Sequence, residues 1–297
     1  LVVEQDKGSS GQSREFFMPR TPNVLVFDSG LGGLTVLAEV MRLRPDVHCI
    51  YAADDAGFPY GRLSETALVA RVQKVMGRLI ALFAPDAIVI ACNTASTLVL
   101  PHLRAAYPQI PFVGTVPAIK PAAAQSRSKR ISVLATPGTV ARDYTRDLVR
   151  TYAAHCEVTL IGSNRLAALA EAFMKGERPA DEEVLAEIAA CFVGGGTART
   201  DCIVLACTHY PLLLSELERL APWPVTWIDP AEAIARRVDH VLGGELGMPP
   251  GDATPEPHCA LFTAGAPLAP ALEAALAGRG IGKILLELIP LEPTASE

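Results

Sequence analysis

The sequence predicts an α/β fold of two similar, pseudo-symmetric domains, each with a mainly parallel sheet flanked by helices. Three observations point there. Short apolar runs alternate with stretches whose apolar residues recur at helical spacing, the pattern of repeated βα units. The apolar runs are near-continuous and lack strict alternation, as expected of strands covered on both faces. Finally, the run from Asp86 to Cys92 (DAIVIAC) recurs from Asp201 to Cys207 (DCIVLAC), with Asp, Ile, Val, Ala and Cys at the same offsets. Chance is one reading of that echo, because buried strands draw on few residue types. A duplicated α/β unit is the other.

The elements follow in order. Residues Leu1 to Pro22 are polar and aperiodic and end in Pro-Arg-Thr-Pro, which reads as a mobile tail. Asn23–Asp28 is a strand, and Leu34–Leu43 has a helical pattern. His48–Ala53 is a second strand. Ser64–Phe83 is helical with Ser64 as its cap. Ala87–Ala91 is a buried strand that ends at Cys92. Ile110–Gly114, Arg130–Ala135 and Glu157–Ile161 are further strands; Thr139–Tyr152, Leu166–Lys175 and Asp181–Phe192 are helices. Cys202–Ala206 is a strand ending at Cys207, and Leu212–Leu220 is a helix. Gly243–Pro257 reads as a loop, followed by a strand at His258–Thr263 and a helix at Pro267–Ala277. We therefore expect a first domain over 23–115, to which 227–297 returns, and a second over 116–226.

Composition narrows the function. The chain has 297 residues, 50% hydrophobic and 20% charged, enough for a globular protein with a sizeable core. Its net charge is −6 and no dense basic block is present, which argues against nucleic acid or an acidic membrane as a partner. The most apolar stretch, Leu79–Ala91, is interrupted by Pro85 and Asp86, and no run suits a bilayer span. Seven scattered cysteines without C-x-x-C spacing fit a reducing compartment, so a cytoplasmic protein is expected.

Both echoed strands deliver a cysteine at the C-terminal end, where ligands bind in open parallel sheets. Polar pairs follow: Asn93-Thr94 after Cys92, and Thr208-His209 after Cys207. Two facing ends would place two thiols on opposite sides of one cleft. That arrangement suits inversion at a carbon acid, where one group removes a proton from one face and another returns a proton to the opposite face. A thiol has a reference pKa of about 8.5, close enough to neutrality to serve in both roles. The remaining cysteines, Cys49, Cys156, Cys191, Cys202 and Cys259, read as small core residues. Asp28 and Ser29 end the first strand before a Gly-rich turn. Asp28 either caps that turn or acts near Cys92, with Ser29 and nearby amides binding a substrate group. His209 either serves as a structural residue or assists Cys207. Thr136 and Thr139 flank a Pro-Gly step, where hydroxyls cap helices. A zinc site is not indicated, because Cys207 and His209 lack further ligands in recognisable array.

These residues fall in motifs. Val26–Thr35 (VFDSGLGGLT), Phe58–Gly61 (FPYG), Ala91–Ser96 (ACNTAS), Leu169–Ala172 (LAEA) and Ala206–Leu213 (ACTHYPLL) together resemble the bacterial glutamate racemases, in family order, over roughly Asn23–His240. The resemblance implies racemisation of glutamate without pyridoxal phosphate, metal or any other cofactor, supplying D-glutamate for peptidoglycan synthesis. By it, Cys92 serves the D-enantiomer and Cys207 the L-enantiomer, with Asp28 assisting the first and His209 the second. Asp28, Ser29, Tyr60, Gly61, Asn93, Thr94, Thr208 and His209 would hold the substrate. Glu171 matches an acidic position near the second cysteine; it, Thr136 and Thr139 are auxiliary candidates. Ala206 stands where many members have Gly, and Gly162-Ser163-Asn164 replaces a Cys-containing motif. The latter is similar to a branch with an N-terminal extension, activated by a nucleotide-sugar peptidoglycan precursor. Such an activator and a homodimer stay open. An aspartate or other amino-acid racemase, or a bilobal small-ligand binding protein, is the alternative.

Overall fold

The computed structural model describes residues 20–252 and 255–291. Most of the expected tail over 1–22 lies outside the described residues. Its last three residues are held: Arg20 forks onto the Asp86 carboxylate, and the Pro22 carbonyl accepts from the His48 amide at 2.9 Å.

The first part of the chain forms β1 (Asn23–Asp28), α1 (Leu34–Leu43), β2 (His48–Ala53), α2 (Glu65–Phe83), β3 (Ala87–Ile90), α3 (Asn93–Ala106) and β4 (Phe112–Gly114). Next come α4 (Ile119–Gln125), β5 (Arg130–Ala135), α5 (Pro137–Ala141), α6 (Asp143–Tyr152), β6 (Glu157–Gly162), α7 (Leu166–Met174) and α8 (Asp181–Ile188). The short strands β7 (Gly194–Gly195) and β8 (Ala198–Arg199) precede β9 (Cys202–Ala206), α9 (Leu214–Leu220), β10 (Thr226–Ile228) and α10 (Ala231–His240). Last are β11 (His258–Phe262), α11 (Pro270–Ala277) and β12 (Ile281–Leu286).

Two fully parallel sheets result, ordered β12-β11-β2-β1-β3-β4 and β10-β9-β5-β6. Number the strands β1, β2, β3, β4 and β5, β6, β9, β10 within each set: both are ordered second, first, third, fourth. The echoed strands, β3 and β9, hold the same place in each lobe. The aspartates that lead them do the same job. Asp86 accepts the Asn23 amide at 2.8 Å, and Asp201 accepts the Arg127 and Ser128 amides at 2.7 and 2.8 Å. Each ties down the chain leading into its sheet's first strand, so duplication explains why the aspartate recurs with the cysteine.

Both faces of the sheets are covered, as the continuous apolar runs require. Along β1, Val24 and Val26 pack on one side with Leu37 and Val40 of α1 and Val238 of α10. Leu25 and Phe27 pack on the other with Leu68, Val72 and Val75 of α2. Each such side chain contributes about 1.5–3 kcal/mol by leaving water. Ser64 caps α2, accepting the Ala67 amide at 3.2 Å.

The structure corrects several boundaries. The helix expected over Thr139–Tyr152 is two helices, broken at Arg142, whose backbone is extended (φ −76°, ψ 139°). Asp181–Phe192 is helical only to Ile188 before a tight turn, and Leu212–Leu220 begins as the tight turn Tyr210–Leu213. Val241–Glu245 continues α10 as a wider helical turn, which shortens the expected loop over Gly243–Pro257. The expected second-domain limit at 226 falls inside β10, whose Trp227 and Ile228 pair with β9 in the second sheet. The long helix α3 went unassigned from sequence; it carries Pro101 in its interior, a residue that normally argues against a helix.

Candidate active site

In an open parallel sheet, a crevice forms beyond the strand ends where neighbouring connections diverge to opposite faces. Here that point lies between β1 and β3 in the first lobe and between β5 and β9 in the second. The Phe27–Ile90 register sets Ser29 beside Cys92, and the Ala135–Ala206 register sets Thr136 beside Cys207. Pseudo-symmetry thus puts a hydroxyl residue at the strand position beside each cysteine.

Both thiols line one small cavity of about 30 Å³, together with Ser29, Tyr60, Gly61, Asn93, Thr94, Thr136, Thr208 and His209. Ten of the residues expected from sequence therefore meet in one place. Asp28, Glu171 and Thr139 are not among the lining residues; Glu171 reaches the wall through His209 and Thr139 through Thr136. Sequence reasoning missed Phe58, Pro59 and Ala167 as lining residues. The first two sit in the FPYG motif, so the motif carried the signal. Ala167 has no chemistry to announce it.

Cys92 ends β3 just before α3, with the Ser29 hydroxyl 3.8 Å from its sulphur. Burial, then the nearby Asp28 charge, push its pKa well above the ordinary thiol value, so it rests as a thiol. Asp28 fills the turn-capping role considered for it. One carboxylate oxygen accepts the Gly33 amide at 2.8 Å and closes the turn; the other is buried without a hydrogen-bond partner. Burial raises its pKa, against the opposing charge of His209.

Cys207 has a different neighbour. Its sulphur lies 3.9 Å from His209 Nδ1, and His209 Nε2 lies 2.9 Å from Glu171 Oε1. Burial pushes the His209 pKa down, but Cys207, Glu171 and Asp28 together hold it well above its ordinary value. Burial pushes Glu171 up; its bond to His209, the His209 charge and the Leu31 amide outweigh that and hold it below its ordinary value. Both directions favour the charged pair, imidazolium with carboxylate, and Nδ1 is placed toward the Cys207 sulphur. Leu31 donates to the same Glu171 oxygen at 2.6 Å, which joins the lobes behind the site.

The directions fix a pH dependence. The raised His209 pKa stabilises the fold fully below about pH 6.5, and that stabilisation is lost as pH rises through the folded-state value. The depressed Glu171 pKa stabilises above about pH 4.5 and is lost as pH falls through its folded-state value. The loss of thermal stability in Glu171→Gln is expected to be largest between those limits and to shrink at alkaline pH. Melting curves of both proteins across the pH range check this; a difference that grows into the alkaline range would refute the ion-pair assignment.

Asn93 is the clearest mark of a ligand site. Both its side-chain nitrogen and oxygen are buried and unpartnered at the cavity wall. Native proteins seldom leave such groups unpaired, so a ligand with an acceptor and a donor fits here. The Tyr60 hydroxyl, by contrast, is not free. It donates to Asp54 at 2.6 Å, so any part Tyr60 plays in binding comes from the rest of the residue. Thr136 caps α5 and meets Thr94 of the other lobe at 3.1 Å, while Thr139, fully buried, donates its amide to Thr136. Phe58 packs against the His209 ring, with centroids 5.3 Å apart. Among the described residues, no group of three or more His, Cys, Asp or Glu is placed to hold a metal ion, and no helix is long and apolar enough to cross a membrane.

The family model for Asp/Glu/hydantoin racemases matches residues 35–238. The chain is 58% identical over 244 residues to the glutamate racemase of Rhizobium meliloti, covering 82% of this chain and 87% of that one. It is 59% identical over 224 residues to the glutamate racemase of Brucella ovis, covering 75% and 80%. Among solved structures, Escherichia coli glutamate racemase in complex with L-glutamate and the activator UDP-MurNAc-ala superposes with a TM-score of 0.82 at 37% identity, covering 92% of this chain and all (100%) of that one.

Proposed function

This chain belongs to the Asp/Glu/hydantoin racemase family, and from that premise we propose that it interconverts L- and D-glutamate by passing protons between Cα and two thiols, Cys92 and Cys207. The observation that carries the reading is the pair of cysteines, each at the end of an equivalent strand, lining one cavity.

From L-glutamate, the Cys207 thiolate takes the Cα proton and becomes a thiol. The resulting carbanion takes a proton from the Cys92 thiol on its other face, leaving a Cys92 thiolate. From D-glutamate the same steps run in reverse. The His209 imidazolium, held by Glu171, faces the Cys207 sulphur and stabilises negative charge there. On the other side of the cavity, the charge nearest in effect on Cys92 is the Asp28 carboxylate. Ser29, Gly61, Asn93, Thr94 and Thr208 hold the carboxylates and ammonium, and Tyr60 supports them.

D-Glutamate made this way would supply peptidoglycan synthesis. Activation by a nucleotide-sugar precursor, a homodimer and a cytoplasmic location are carried with this reading. So are lobe limits of 23–115 with the C-terminal return, and 116 to β10.

Incubation with each enantiomer of glutamate and of aspartate in D₂O tests the activity. Deuterium should enter Cα of glutamate as optical rotation decays to zero; absence of exchange would leave a binding protein. The same assay resolves Asp28 and His209. Asp28→Asn should enlarge the primary isotope effect of Cα-deuterated D-glutamate, for which Cys92 is the base, and His209→Asn that of L-glutamate. The kcat/KM ratio cannot change, because the enantiomers are equally stable in water. Equal changes in both directions would make the two residues positioning groups.

A further inference from the structure

The catalytic cavity of about 30 Å³ has room for roughly one water molecule. An amino acid enters only if the lobes part. The rear junction is tightly held. There Glu171 takes the Leu31 amide and His209 in a buried, charge-assisted contact, and the His209 backbone lies against Gly32. The front junction is held by weaker contacts. Thr94 meets Thr136 through a single hydroxyl pair at 3.1 Å, and Arg142 of the second lobe reaches Glu65 of the first at 3.1 Å. Glu65 is 72% exposed, so water competes for that ion pair.

Directly outside the front junction lies an open cleft of about 510 Å³. Each of its walls continues a wall of the catalytic cavity. Leu63 and Ser64 follow Gly61, Thr97 is one helical turn past Thr94, and Gly138 follows Thr136. Arg142 is the one cation among the lining residues. Its position follows from the extended backbone that separates α5 from α6. The side chain is 16% exposed; one terminal nitrogen is on Glu65, while Nε is buried without a partner. Asp143, also at the cleft, pairs with Arg146 at 3.4 Å. A guanidinium with a free Nε and an exchangeable neighbour can bind a carboxylate through two parallel bonds.

We propose that this cleft is the entry vestibule of the active site and that Arg142 is a docking residue for a substrate carboxylate, which displaces Glu65 as the front junction opens. The proposal rests on the reading that glutamate is the substrate. Glutamate carries two carboxylates and a net negative charge, and the chain itself has a net charge of −6, so an unaided approach is repelled. One cation at the mouth of the passage offsets that repulsion where it matters for entry.

The test measures association of glutamate with the full-length enzyme by relaxation of the glutamate NMR signals, which are identical for the two enantiomers. Arg142→Gln is expected to slow association about five- to tenfold and to flatten its dependence on ionic strength. Arg142→Lys should keep most of the wild-type rate, because it keeps the charge. Ala141→Trp, on an exposed cleft position, should slow association and dissociation together with little change in affinity, as an obstruction does. Association rates within twofold of wild type in both Arg142→Gln and Ala141→Trp would overturn the proposal. Equal slowing in Arg142→Gln and Arg142→Lys would overturn the role given to charge. Deuterium exchange by the wild type is scored separately: if it fails, the racemase reading falls, whereas normal exchange with unaltered variants removes only the vestibule.

Discussion

Serine at either Cys92 or Cys207 is expected to lower racemisation by on the order of 10³-fold or more in both directions. The reason is the proton affinity of the replacement. A hydroxyl is a far weaker acid than a thiol, so the alkoxide needed to take a Cα proton is scarcely populated near neutrality. Both directions fall together because each turnover uses one cysteine as base and the other as acid. Cys92 is already pushed toward its thiol form by burial and by Asp28, which suits it to donate, and Cys207 faces the His209 imidazolium at 3.9 Å. Initial rates by polarimetry from each enantiomer decide the matter. Near-normal turnover in either variant, in both directions, would exclude a two-thiol mechanism. Cys49→Ser provides a contrast: that thiol is buried in the core beneath the first sheet, and burial pushes its pKa to about 12.

Gly32→Ala is expected to cost about 10²-fold in kcat/KM, though the added group is a single methyl that touches neither sulphur. A Cβ at Gly32 would stand 2.5 Å from the His209 backbone nitrogen, 2.6 Å from its Nδ1 and 2.7 Å from the Thr208 carbonyl carbon. Two of those atoms are backbone, so relief requires the loop after Cys207 to retreat from the first lobe. A shift of about 1 Å at the reacting groups is enough for a loss of that size, and overpacking adds about 1–3 kcal/mol of destabilisation. Gly251→Ala, where a Cβ meets nothing within 4 Å, should behave as wild type. Steady-state kinetics with melting curves separates the two consequences. Unchanged kcat/KM in Gly32→Ala would show that the approach of the lobes at this turn is not needed for catalysis.

The sequence by itself determined the α/β architecture, and it offered the duplication and the two cysteines as expectations. Each is written locally: strand runs and helical faces as periodicity, and the duplication as two copies of one Asp-led strand that closes on the same point in each lobe. What it left undetermined is whatever depends on segments distant in the chain. Asp28 read equally as a turn cap and as a catalytic neighbour; the tertiary structure puts one oxygen on the Gly33 amide and buries the other without a hydrogen-bond partner. For His209 the sequence could not show its partner: Glu171, 38 residues away, holds its far nitrogen. The glycines before α1 read as a tight turn, yet at Gly32 the demand comes from the other lobe, pressed against the missing side chain. The motif that offers Tyr60 as a substrate contact does not show that its hydroxyl is on Asp54, and the break at Arg142 is hidden because residues on both sides keep helical periodicity. Contacts between lobes leave no period in the sequence. They arise only when surfaces distant in the chain are brought together, as at the cavity lined by both cysteines.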